Sequence, residues 1–175
     1  SVGRLGNTTM TEEGREIAYF YGHKTSGIFK TQADLDAYVT ADGTQITGPG
    51  GSRPQLGDVV FADRNNDGKI SDEDMTYLGS ATPDLTGGLN ISLGYKNFDF
   101  TMFMNYSLGN EIVNSMYQSL YSTDMFETNI SRDMALNHWS PENPASNLPR
   151  LSATDSNKNS TTFSDLMVED GSFLR

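Results

Sequence analysis

The sequence predicts an all-β fold of antiparallel strands, and three observations predict it. Two adjacent runs alternate apolar and polar residues with period two. The composition favours Gly, Asn, Thr, Ser and Tyr over Lys, which suits strands and turns better than helices. No stretch of about 18 apolar residues exists, so no transmembrane helix is available. Strands that cross a bilayer are only about ten residues long and alternate in polarity, so they escape a hydropathy average.

The clearest periodicity lies in residues 85–106. Leu85, Leu89, Ile91, Leu93 and Tyr95 are separated by Thr86, Gly88, Asn90, Ser92 and Gly94. After a short turn at Lys96-Asn97, Phe98, Phe100, Met102, Met104 and Tyr106 alternate with Asp99, Thr101, Phe103, Asn105 and Ser107. Phe103 is the one apolar residue on the polar side. Each set occupies its own strand face, and the short gap predicts a hairpin. A soluble sandwich with one buried face gives the same alternation. The weight of Phe and Met, with Tyr95, Phe98 and Tyr106 at the ends, favours a transmembrane hairpin with interfacial aromatic anchors.

The remaining elements are shorter. Residues 16–30 hold two glycine-punctuated aromatic strands. Residues 31–38 form one short helix, capped by Thr31, with Leu35 and Tyr38 on one face. Residues 40–56 are loop, and Val59-Val60-Phe61 is a strand. Residues 110–162 form a long polar loop, with a helical turn or two within 112–126 and a turn cluster at Trp139-Ser140-Pro141-Glu142-Asn143-Pro144. A loop of that length is usually functional or disordered. Residues 168–175 read as a turn that leads into a further strand, and a fragment is expected on that ground.

A net charge of -11 argues against binding nucleic acid and suits divalent cations. Cysteine is absent, so thiolate metal sites and disulfides are excluded. The two histidines, His23 and His138, lie in no metal-ligand pattern, and packing or surface roles are expected of both. No nucleophile elbow, phosphate loop or dinucleotide fingerprint appears, so the chain is not expected to be an enzyme. Packing is likewise the expected role of Trp139.

One motif carries chemistry. Asp63-Arg64-Asn65-Asn66-Asp67-Gly68-Lys69-Ile70-Ser71-Asp72-Glu73-Asp74 matches a calcium loop, inserted at residues 58–74. Asp63, Asn65 and Asp67 converge because alternate residues of such a turn point at one centre. Gly68 permits the bend, Lys69 offers its backbone carbonyl, Ile70 anchors the loop, and Asp74 stands where the pattern has a bidentate Glu. One structural calcium ion is the expected cofactor. The alternative is an Asx-rich turn that holds no ion.

The order of several blocks resembles the SusC/RagA family of TonB-linked outer-membrane transporters. They are residues 18–29, Gly57-Asp58-Val59-Val60-Phe61-Ala62-Asp63 with its acidic loop, residues 78–88, Tyr95-Lys96-Asn97-Phe98-Asp99, Gly109-Asn110, Trp139-Ser140-Pro141-Glu142-Asn143 and residues 168–175. The resemblance covers residue 16 to the end. It implies a 22-stranded transmembrane β-barrel with long extracellular loops, of which residues 1–175 are a fragment from the C-terminal part. It also implies import of oligosaccharide or peptide cargo across the outer membrane of Bacteroidetes-type bacteria. The implied partners are a SusD-like lipoprotein and the TonB complex, the latter engaged by an N-terminal part that this stretch lacks. The competing reading is a soluble extracellular calcium-stabilised β-domain that binds glycans or a protein.

Overall fold

The computed structural model describes residues 3–5, 8–121 and 129–175, with the side chains of 3–5 and Gln118 left aside. Part of the expected 110–162 loop, and the end of its expected helical segment, therefore lie outside the described residues. Strands β1 (Gly3–Leu5), β2 (Thr9–Thr11), β3 (Tyr19–Gly22) and β4 (Thr25–Ile28) come first. Helix α1 (Gln32–Ala37), β5 (Val59–Phe61) and β6 (Thr76–Gly79) follow. Among the described residues no helix is long and apolar enough to cross a membrane.

These first elements form a small body. One antiparallel sheet has the order β1-β2-β3-β6, and β4 pairs with β5. The apolar core joins Ile28, Ile46, Val59, Phe61, Ile70 and Trp139. Helix α1 forms where Thr31 can cap it: the Thr31 hydroxyl accepts the Asp34 N–H at 3.2 Å, and Asp34 accepts the Thr31 N–H at 2.8 Å. Tyr38, at the helix end, reaches the core and donates to the Phe61 carbonyl at 2.6 Å. Trp139 takes its expected packing role. Its ring lies on Gly57, where a Cβ would sit 2.5 Å from Cε3, and Gly57 also has φ +82°. Only glycine fits both demands.

The hairpin is β7 (Leu85–Tyr95) with β8 (Phe98–Leu108). Eleven pairs run from Leu85↔Leu108 to Tyr95↔Phe98, and the turn is Lys96-Asn97, with Lys96 at φ 53°. Pairing extends two residues beyond the expected end at Tyr106, because Ser107 and Leu108 continue the alternation opposite Thr86 and Leu85.

The described part of the 110–162 stretch is more ordered than a polar sequence suggests, and holds β9 (Glu111–Val113), α2 (Ser115–Tyr121) and α3 (Arg132–Asn137). Strand β10 (Val168–Asp170) then pairs with β9, and β11 (Phe173–Leu174) pairs with β8 at Ser107 and Tyr106.

Candidate functional site

The acidic loop is built by side chains that hold its own backbone. Asp63 accepts the N–H of Asn66 at 2.6 Å on one oxygen and that of Gly68 at 2.9 Å on the other. Asn65 Oδ1 accepts from Asp67 at 3.1 Å, and Asp67 Oδ1 from Lys69 at 2.8 Å. These side chains curl into one turn, which needs φ 60° at Asn66 and φ 83° at Gly68. Asp74 is fully buried and closes the loop. Its Oδ1 takes the N–H of Arg64 at 2.8 Å and of Asn65 at 3.3 Å, and its Oδ2 takes that of Ser71 at 2.8 Å. Ile70 lies in the core.

The donor chemistry is all oxygen, which suits a hard cation. The field is negative as well: Tyr38 has its phenol pushed up by burial first, then by Asp63 and Asp74. Among the described residues no three His, Cys, Asp or Glu side chains converge as a metal cluster. Two acids and one amide share the turn, while Asp74 spends both oxygens on backbone N–H groups.

The hairpin presents two unlike faces. Leu85, Leu89, Ile91, Leu93 and Tyr95 pair with Leu108, Met104, Met102, Phe100 and Phe98 on one face. Thr86, Gly88, Asn90, Ser92 and Gly94 pair with Ser107, Asn105, Phe103, Thr101 and Asp99 on the other. Most of the apolar face is exposed, Leu93 at 62% and Phe98 at 79%. No other sheet of the described residues packs on it.

No family model matches the chain. Two TonB-dependent receptors of Formosa agariphila are each 34% identical to it, over 97% and 96% of this chain. The chain belongs to the TonB-dependent receptor family. It spans only 16% and 15% of the length of those curated relatives. Chains of the RagAB peptide transporter share the fold, with TM-scores of 0.66 and 0.67 at 22% identity. They align with 97% and 99% of this chain, which covers 16% and 17% of theirs. This receptor segment thus has an antiparallel, barrel-type fold.

Both histidines of the receptor segment hold structure. His23 is buried, and its Nε2–H donates to the Ser71 carbonyl at 2.9 Å, tying the acidic loop to β3. His138 caps α3 and donates through Nδ1 to the Met134 carbonyl at 3.1 Å. Sequence reasoning missed a buried polar brace. Asp58 is fully buried, and its Oδ1 accepts from Arg150 Nε at 2.7 Å and from Asn159 Nδ2 at 3.0 Å. Asn159 Oδ1 in turn accepts the Val59 N–H at 2.9 Å and Asn157 Nδ2 at 2.7 Å. Asp155 holds the Asn159 N–H at 2.8 Å and the Ser160 hydroxyl at 3.0 Å. A faint signal was present, since Asp155, Asn157 and Asn159 repeat the spacing of Asp63, Asn65 and Asp67.

Proposed function

We propose that this segment supplies two wall strands and outer loops of an outer-membrane, TonB-dependent importer, which takes up an oligomeric glycan or peptide with a SusD-like lipoprotein. The observation that carries this reading is the hairpin's apolar face, exposed over most of the alternate residue pairs that form it. In water such a face invites association, whereas in a barrel wall it meets lipid chains and needs no second sheet. Eleven residues per strand match a tilted bilayer crossing. A soluble sandwich would cover the face with protein. The likeness to a peptide transporter supports transport over catalysis. Deleting the parent gene is expected to abolish growth on one glycan or peptide source and to leave hydrolase activity in lysates unchanged. Undiminished growth on every oligomeric source would refute the reading.

The acidic loop supports a second, structural role. We propose that Asp63, Asn65, Asp67, the Lys69 carbonyl and Asp74 hold one calcium ion, which stiffens an outer loop near the partner lipoprotein. The supporting observation is that Asp63, Asn65 and Asp67 are already curled into one turn by their own backbone bonds. Asp63 and Asp67 bring two negative charges into one turn, and a bound cation would offset their repulsion. Calorimetry on the full-length receptor should show calcium binding that Asp67→Ala weakens while the strands persist. Wild type and variant with equally absent heats would leave the ion-free turn as the better account.

A further inference from the structure

A polar cavity, of about 250 Å³, opens on one face of the body sheet, and Arg64 is the one residue of the acidic loop that lines it. Met10, Tyr19, Tyr21 and Tyr77 share that face, because Met10 pairs with Tyr19 and Tyr21 pairs with Tyr77. The Tyr19 ring lies 6.2 Å from that of Tyr21 and 5.3 Å from that of Tyr77. The floor is therefore aromatic. Arg15 leans over it, with its guanidinium carbon 5.7 Å from the Tyr19 ring and 5.2 Å from the Tyr77 ring. The Arg15 charge is already matched by Glu12 at 2.5 Å.

Arg64 lines the same cavity and is different. It is exposed and has no ion pair among the described residues. Among the described residues its side chain makes one hydrogen bond, from Nη1 to the Met75 carbonyl, at a long 3.5 Å. The backbone N–H of Arg64 is pinned to buried Asp74, so the residue has a fixed root and a guanidinium with donors to spare. The charged residues lining the cavity are Arg15, Arg64 and Glu12, a local excess of one positive charge on a chain of net charge -11. The acids that surround it, Glu16, Asp84 and Glu111, act on Tyr77 from outside the lining.

We infer that this cavity binds a carboxylate of the cargo, gripped by Arg64, with the adjoining ring or stem lying on the Tyr21–Tyr77 floor. Guanidinium and carboxylate match as a planar fork, and tyrosine faces give contact area at low entropic cost. A cavity of this size takes one terminal group, not a whole oligomer. The inference rests on the importer reading, because it names a chemical class within the cargo. Two sources carry the group, a peptide C-terminus and an acidic sugar.

The test uses the purified full-length receptor and matched probes: a tyrosine-containing dipeptide against its C-terminal amide, and glucuronate against glucose. One acid form is expected to bind at least about tenfold more tightly than its neutral partner, and the pair that discriminates identifies the source. Arg64→Gln should remove the discrimination, and Arg64→Lys should keep part of it. Equal binding within both pairs, or discrimination that survives Arg64→Gln, overturns the inference. Uptake by cells separates the two readings. Import of oligomers without preference for acid forms sinks this site alone, whereas failure to import any oligomer sinks the importer reading and leaves the binding result standing.

Discussion

The body and the hairpin use the same kinds of residue in opposite ways. Tyr19, Phe29 and Phe61 in the body are each 1% exposed, whereas Leu93, Phe98 and Phe103 in the hairpin are 62%, 79% and 68% exposed. The body makes its own interior, from an apolar cluster braced by Asp58 and Arg150. The hairpin makes none. Its β7–β8 ladder satisfies the inner-edge backbone groups, and its side chains are left for whatever surrounds it. Burial in the body is therefore a property of this segment, while the hairpin's apolar face is left largely uncovered by the described residues, and in the proposed barrel wall lipid would cover it.

The largest effect should come from breaking the brace on the body side. Asp58→Ala strips the partner from Arg150 and from the Gln55 N–H, bound at 2.7 and 2.8 Å. Removing one member of a buried pair costs about 3–5 kcal/mol. Hydrogen exchange on the full-length receptor should show faster exchange at the Val59 and Asn159 amides, with the β7–β8 ladder unchanged. Loss of protection in both regions would mean that they fold as one unit, and the contrast drawn between them would fail.

Neighbouring substitutions sharpen the hairpin side. Leu89→Arg places a charge near the middle of the apolar face, and Asn90→Arg places it on the opposite face one residue on. The first should cost about 2–4 kcal/mol in a bilayer. The second, on a polar face, should cost far less. Unfolding of the receptor from lipid, or the fraction of folded barrel on gels, distinguishes them. Equal costs would argue that both faces meet water or protein.

The smallest effect concerns α1. Backbone and side-chain hydrogen bonds from Thr31 hold the exposed Asp34 carboxyl below its ordinary value of 3.8. A depressed carboxylate contributes its stabilisation above the unfolded pKa and loses it as pH falls through the lower, folded one. The helix cap should therefore persist at pH 4 and release only in stronger acid. An NMR titration of the Thr31 and Lys30 amides should track this, and Asp34→Asn should flatten the response. A midpoint above 3.8 would contradict the cap.

The features legible in the sequence are local or periodic. The hairpin's two faces follow from period two, and its turn from the two-residue gap at Lys96-Asn97. The α1 cap follows from Thr31 and Asp34 three residues apart, and the curl of the acidic loop from carboxylates and amides that reach backbone N–H groups two to five residues on. Tertiary structure decided what joins distant stretches. Asp58 meets Arg150 and His23 meets Ser71 across 92 and 48 residues, with no pattern in between to announce either contact. Residues 155–160 look like solvated loop because they are polar. Asn157 and Asn159 among them are buried because Val59 and Asp58 offer them partners, and a polar side chain can leave water wherever its hydrogen bonds are replaced.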